Sequence, residues 1–494
     1  MQNLVRFRSL PSSAFHRQSK LLYRCRPAAL TATKYSSCLR SIANMPPKRK
    51  AASSIPANAA SAAKHTDASG ASPNKRSRLS KPLPQSATKE EPPVERIAKV
   101  EGNGAPGGAV ETESSFDHSR PEERAGIVDR RYYPAEMSNE RCAMYNDNEI
   151  PRPIETLNKT LEETKSDRAS IRDGNVGGHG DAVVHWFKRD LRVRDNTGLS
   201  RAYELAKEHK TGVIGVWLVS PQDWEAHLVS PAKCDFELRS AEALGKELDA
   251  LDIPLYMEIV PERKNVTARM LALAQAWNAK NVFCNLEYEP DELRREERLV
   301  RLMLEKDINF DPQHDDCVVP PGSLKTGTGK QYAVYTPWFR SWLAHLRTHP
   351  HLLNERPKPE KNPAGFRQRF AKLYHCAVPE PPESKSLTKD EQERYDRLWP
   401  AGEAAALDRL EQFLSEKVVE YHDTRNFPSL ESTARISPHH AAGTLAARTS
   451  VRMARDVNST PRLDGGKDGI KTWVSEVAWR DFYRHVLVHW PYVW

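Results

Sequence analysis

The chain has 494 residues, a formal net charge of +8 and 38% hydrophobic residues, a length for two domains and a composition that leaves part of the chain outside any packed core. Seven Cys residues without a CxxC pair argue against a disulfide frame or a zinc site and for reduced thiols inside a cell. No apolar run reaches membrane-spanning length, and the basic balance permits an anionic partner without naming one.

Residues 1–44 carry Arg6, Arg8, Arg17, Lys20, Arg24, Arg26, Lys34 and Arg40, with no acid before Asp67. A basic, Ser-rich, acid-free leader has the composition of a mitochondrial transit peptide, although a merely basic disordered terminus has the same look. Met45 opens a second possible start, MPPKRK, and Asn74–Arg78 reads NKRSR. Such clusters in a flexible tail read as nuclear import signals. The expectation is dual targeting: mitochondrion from Met1, nucleus from Met45. The stretch 45–180 is rich in Ala, Ser, Pro, Gly and charge and is expected to be a mostly disordered tail. A short ordered piece is expected around Arg130–Asn158, where Tyr132, Tyr133, Met137, Met144 and Tyr145 cluster.

At Ala182 the texture changes. Apolar runs at Ala182–Phe187, Val213–Val219, Leu255–Val260 and Val282–Cys284 alternate with helical patterns from Thr197, over Cys234–Leu251, Val266–Ala279 and Asp291–Lys306. Ile308–Phe310 or Cys317–Val319 is expected to complete the sheet. This alternation predicts an α/β domain with a doubly wound parallel sheet over 181–322, its ligands outside the carboxyl ends of the strands. Those ends are Phe187–Arg192, Leu218–Trp224 and Asn285–Asp291. No GxGxxG follows the first strand and no Walker loop is present, so a nicotinamide dehydrogenase or a P-loop enzyme is excluded.

Residues 323–400 read as a connector. An aromatic helix carries Trp338, Phe339 and Trp342, with Pro337 expected at its first position, and a Pro-rich surface linker follows over Leu353–Pro400. From Ala401 the pattern is helical, first over Ala404–Val419. Between Arg425 and Arg455 there are five Arg residues and one acid, a bias that suits phosphate. Thr433, Arg435 and Ser437 alternate as hydroxyl, guanidinium and hydroxyl before a helix start, although a solvated loop with Ser437 as N-cap explains them equally. Gly469–His489 reads as one long helix. Trp473, Glu476 and Arg480 fall near one face, with Tyr483 and Arg484 beside them and Trp479 close by. Trp offers a stacking plane, Arg binds phosphate and Glu accepts from base-like N–H groups. By spacing alone, core tryptophans with a solvated Glu476–Arg480 pair are the slightly stronger reading.

The motifs VVHWFKRDLRVRDN (183–196), SPQDWEAHLVSP (220–231), YEPDELRRE (288–296) and VYTPWFRSWL (334–343) occur in the order of the DNA photolyase/cryptochrome family. From about Asp181 to the C-terminus the chain resembles that family, most of all its class I branch that repairs cyclobutane pyrimidine dimers. The resemblance implies an α/β antenna domain followed by an all-α FAD-binding domain over 401–494. It implies a 5,10-methenyltetrahydrofolate antenna at His227, Asp291 and Glu292, with a deazaflavin or no antenna as alternatives. The two carboxylates also suit a helix start by dipole alone. It places Tyr421, Thr433, Ala434, Arg435, Ile436, Ser437 and Trp473 on flavin-binding positions and Arg425 on a DNA contact. Glu476, Trp479 and Arg480 fall on the surface facing damaged double-stranded DNA, with Tyr483 and Arg484 beside them. The implied reaction is light-driven splitting of the dimer by electron transfer from reduced FAD. Glu476 would hydrogen-bond the extruded thymine and Trp479 would pack against it. A signalling cryptochrome, or a fragment keeping only the antenna domain, are the alternatives. A monomer with no metal and no membrane contact is expected.

The chain departs from the family pattern at its end. Trp494 follows the long helix directly, whereas the family's flavin domain continues through further helices. The helical domain is therefore expected to be incomplete, and the whole a C-terminally truncated photolyase.

Overall fold

A computed structural model describes residues 139–226 and 228–493. The expected leader, both basic clusters and His227 lie outside the described residues.

The sheet is built around the strand Ala182–Phe187 (β1), whose sequence AVVHWF is buried at every position, as a central parallel strand requires. Gly212–Val219 (β2) and Ala279–Asn285 (β4) flank it, and Leu255–Ile259 (β3) and Asn309–Gln313 (β5) form the edges. All pairings are parallel in the order β3-β2-β1-β4-β5, so the doubly wound expectation holds. The fifth strand is the first of the two candidates; Cys317–Val319 forms a loop beside the helical half instead. The crossover helices are Thr197–Glu208, Pro231–Asp249, Val266–Ala276 and Pro290–Leu304. Two apolar clusters, one centred on Trp186, Val282 and Phe310 and the other on Phe187, Leu199 and Trp217, fill the two faces of the sheet. Strand order reverses at β1, which places the crevice at the carboxyl ends of β1 and β4.

The ordered piece expected around Arg130–Asn158 is present from Asn139, the first described residue, but order continues to Arg172, where a disordered tail was expected. Asn139–Asn146 (α1), Pro153–Glu163 (α2) and Lys165–Arg172 (α3) are helical. Leu157 is fully buried in the sheet-side core, and Thr160 Oγ1 donates to Glu297 at 2.8 Å. The polar composition misled because a few apolar residues at helical spacing suffice to dock a helix on a preformed surface. Arg152 is 7% exposed and donates from Nε to the His489 carbonyl at 2.7 Å, anchoring this segment to the end of the last long helix.

The segment 353–400 also departs from a loose linker. Asn362 bonds both the N–H and the C=O of Val213 at 2.8 and 2.9 Å, Phe366 is buried against the sheet core, and a capping box of Thr388 and Glu391 starts the helix Lys389–Leu398. In the aromatic helix Tyr335–Thr348, Pro337 is the third residue rather than the first. Trp338 and Trp342 are fully buried in a third cluster with Phe413 and Trp473, which is the core of the helical half. That half consists of Glu403–Gln412, which continues through a π turn at Phe413–Lys417, then Ser437–Ala442, Ala447–Asp456 and Asp468–His489. Ile436 occupies the cap position that sequence reading assigned to Ser437.

The two halves meet through buried charge. Arg448 donates from Nε to Asp195 at 2.6 Å and pairs with Asp315, which also holds Arg192 and Thr197. Burial opposes ionisation of Asp315, but Arg192 and Arg448 outweigh it and hold the carboxyl well below its usual range. Gly443 sits at φ +72° against the Arg189 carbonyl, where a Cβ would come within 1.9 Å of that oxygen.

Candidate functional site

Two places gather the residues singled out from sequence. The first is the carboxyl edge of the sheet. Asp190, just past β1, is buried and accepts from His185, Asn196 and Asn285 at 3.1, 3.0 and 2.7 Å, which freezes the loop after β1. Beside it lies a cavity of about 90 Å³ whose wall includes Trp186, Lys188, Ser220, Glu287, Glu292 and Arg295. Most of its charges already pair internally: Lys188 with Glu296, Arg295 with Glu287 at 2.8 Å.

Asp291 and Glu292 stand at the start of the helix Pro290–Leu304. Arg263, from the turn after β3, reaches Asp223 at 2.6 Å and Glu292 at 3.3 Å, and it also pairs with Asp291. Burial, then the Glu292 carboxylate, push Asp291 up to about 7 against the pull of Arg263. Asp291 Oδ1 is buried with no hydrogen-bond donor. The raised pKa includes a hydrogen bond shared with the Glu292 carboxyl, and this pair of acidic oxygens fits a ligand edge bearing N–H groups, as a folate pterin does.

The second place is the first half of the helix Asp468–His489. Its N-terminus presses on the preceding segment so closely that a Cβ on Gly469 would meet the Val418 carbonyl at 1.8 Å. That contact sets the turn Tyr421–Thr424 against the helix, where His422 Nδ1 lies 2.9 Å from Thr472 Oγ1. Arg425 Nε then reaches Glu476 Oε1 at 3.5 Å, with the side chains 31% and 43% exposed. The Glu476 charge is felt by two phenols: burial first, then Glu476, raise Tyr421, and burial with a smaller push from Glu476 raises Tyr335 to about 12. Trp479, half-buried, stacks face to face on Tyr335 with ring centroids 3.5 Å apart and planes 9° apart. Tyr483, 62% exposed, stacks on Trp479 at 5.6 Å. One carboxylate, one guanidinium and a column of flat rings thus share one partly open face.

The second half of the same helix behaves differently. Arg480 pairs with Asp316, and Arg484 pairs with Glu289 at 2.9 Å and Asp316 at 3.1 Å. Burial opposes the Asp316 carboxylate, but Arg480 and then Arg484 overcome it and hold its pKa down. The expectation that both arginines face DNA therefore meets a geometry that uses them between the α/β loops and the helix. Their position in the sequence gave no sign of carboxylates about 165 to 195 residues away. Asp481, fully buried, accepts from Val318 N, Val319 N and Trp342 Nε1 at 2.9, 3.1 and 3.1 Å; burial raises its pKa to about 7. His485 is held neutral by burial, its pKa lowered to about 4, between the Trp338 indole and the Val319 carbonyl.

The loop before Ser437 is split as its alternation implies. Ala434 and Ile436 point into the helical core, while Thr433, Arg435 and Ser437 are exposed. Arg435 adopts the left-handed conformation at φ +49°, which an L side chain takes only at a cost. Its guanidinium pairs with exposed Glu431 at 3.1 Å, a weak surface partner that an anionic ligand can displace. These donors fit a diphosphate. Tyr421 and Trp473 fit a flavin wall less well: they are 9% and 3% exposed and both pack on Phe413. Tyr335 is the residue that sequence reading missed, although it stands within the quoted motif VYTPWFRSWL.

The chain is thus an α/β protein with a parallel sheet joined by buried ion pairs to a helical half that carries an acidic–aromatic face. Residues 183–361 match the family model for DNA photolyase. The chain is 50% identical over 375 residues to the deoxyribodipyrimidine photo-lyase of Neurospora crassa, covering 75% of this chain and 60% of that protein. It is 26% identical over 414 residues to the mitochondrial deoxyribodipyrimidine photo-lyase of Saccharomyces cerevisiae, covering 77% of this chain and 68% of the yeast protein. In fold it matches the crystal structure of a bacterial class III photolyase from Agrobacterium tumefaciens, with a TM-score of 0.51 and 23% identity over 63% of this chain and 60% of that one. Residues 183–361 thus carry a DNA photolyase domain, and the chain spans about 60% of the length of its Neurospora relative.

Proposed function

We propose that this chain belongs to a deoxyribodipyrimidine photo-lyase, an enzyme that uses light to split cyclobutane pyrimidine dimers in double-stranded DNA. The observation that carries the reading is the grouping of Arg425, Tyr335 and Trp479 with Glu476 on one partly open face, with Tyr421 buried beneath it. Arg425 would hold a backbone phosphate, and Trp479 with Tyr483 would offer stacking surface to a nucleotide taken out of the duplex. Glu476 would accept from the thymine N–H edge when ionised and donate when protonated. Arg480 and Arg484 act at one remove, by fixing this helix on the loops of the sheet.

FAD is the proposed cofactor, with its diphosphate on Thr433, Arg435 and Ser437 beside the buried Ala434 and Ile436. When bound it supplies light-driven electron transfer; Tyr421 and Trp473 would have to open from Phe413 to line it. A 5,10-methenyltetrahydrofolate antenna is proposed at Asp291 and Glu292, supported by this pair of acidic oxygens. The basic, acid-free leader and the mitochondrial name of the yeast relative support a mitochondrial location; the Met45 start with its basic clusters supports a nuclear one. Among the described residues no helix is long and apolar enough to cross a membrane.

The test is repair of a thymine-dimer oligonucleotide under blue light, together with an absorption spectrum of the purified chain. Flavin bands with dimer loss support the reading. A near-ultraviolet folate band alone would reduce it to an antenna domain, and flavin without repair would favour a photoreceptor.

A further inference from the structure

We infer that Tyr335 is a positioning residue for lesion recognition, acting through Trp479. The inference rests on the function proposed above and adds a residue to it.

Trp479 is the ring proposed to meet an extruded base; on its own helix Phe482 and Tyr483 touch it at 5.6 Å, and the one face-to-face stack within 4 Å comes from elsewhere in the chain. Tyr335 comes from a different segment, the helix Tyr335–Thr348, and lies flat on the indole at 3.5 Å and 9°. Its hydroxyl is 2.8 Å from both the carbonyl and the Oγ of Ser475, one turn before Trp479. The phenol is thus fixed at both ends: the ring packs on Trp479, and the oxygen is tied to the backbone of the helix that carries Trp479. Behind it the rings of Phe339, at 5.4 Å and 13°, and Phe482, at 5.6 Å and 76°, close off any retreat. Trp342 stacks on Phe339 at 5.8 Å and donates its indole N–H to buried Asp481. The column Trp342–Phe339–Tyr335–Trp479–Tyr483 therefore runs from a buried hydrogen-bonded anchor to an exposed ring.

A surface indole that must stack on an incoming base loses rotamer freedom on binding. Tyr335 removes that freedom beforehand, so the cost falls on folding rather than on recognition. The undamaged duplex, whose bases stay stacked, does not use the platform, and the consequence is confined to damaged DNA. Burial above all raises the Tyr335 phenol to about 12, with a smaller push from the Glu476 charge nearby.

The test measures binding of the full chain to a fluorescent duplex with one thymine dimer and to the same duplex undamaged. Tyr335→Leu should lower the preference for damaged over undamaged DNA about tenfold, measured as the ratio of the two affinities. Tyr335→Phe keeps the stack and should lose no more than about twofold. In a cycle with Trp479→Ala, the Tyr335→Leu effect should vanish, because a residue that acts through the indole has nothing to position once it is gone. Thermal unfolding of each variant guards against a folding defect, and Tyr335→Phe remains informative if Tyr335→Leu fails to fold. Full preference in Tyr335→Leu, or effects additive with Trp479→Ala, would overturn the inference alone. An unmodified chain with no preference for damaged DNA would overturn it together with the functional reading.

Discussion

The two halves of the helix Asp468–His489 carry similar residues and put them to different uses. In the first half Glu476 meets Arg425 at a partly open surface, and Trp479 and Tyr483 present rings. In the second half Arg480 and Arg484 are bound to Asp316 and Glu289 from the loops of the sheet, and Asp481 and His485 are sealed in the core. A charge that already has a buried partner stabilises the fold and has little left for a ligand. One that faces a single half-exposed partner can exchange it for a phosphate or a base. The first half therefore carries the recognition role proposed above, and the second half holds the helix on the loops of the sheet.

The strongest way to break this division is Asp316→Ala. It removes the carboxylate partner of Arg480, leaves Arg484 with Glu289 alone, and should cost on the order of 3 kcal/mol of stability, read as a lower urea midpoint. A neutral result would place those arginines with the ligand-binding set. Next comes pH. The Asp481 carboxyl has its pKa raised from 3.8 to about 7 on folding, so the folded chain keeps a proton that the unfolded chain releases. Its contribution to stability is present below about pH 4 and is lost as pH rises through about 7. Asp481→Asn should flatten that slope relative to the unmodified chain in urea titrations at pH 5 and pH 8; an unchanged slope would mean the group is ionised in the fold.

On the open half, Glu476→Ala should reduce repair yield by about tenfold or more with a smaller loss of binding, since the role proposed for the carboxylate is to meet the reacting thymine. Equal losses would leave it a binding group only. Arg425→Ala should weaken binding to damaged and undamaged duplex alike, lower the salt slope by about one, and change stability by less than about 1 kcal/mol. A large stability loss from Arg425→Ala would erase the contrast between the halves.

The sheet was legible in advance because a central parallel strand must be apolar throughout. Ala182–Phe187 and Val213–Val219 have no other reading at that length between turn signals. The alternation Thr433–Ser437 was legible for a similar reason, with apolar side chains inward and donors outward. Order was expected around Arg130–Asn158, but the helices to Arg172 were missed because their composition is polar and only a few buried residues, such as Ile154, Leu157 and Ile171, dock them. Tyr335 was missed because stacking on Trp479 joins residues 144 positions apart, and no local pattern encodes that.

The amino-acid sequence by itself determined the strand order's raw material, the resemblance to DNA photolyases and the residue types available on the last long helix. Tertiary structure alone decided which of those residues remain open. Charge and aromaticity are properties of a side chain, but availability depends on what lies across from it. Here the partners of Arg480, Arg484 and Trp479 come from loops and a helix far away in the chain.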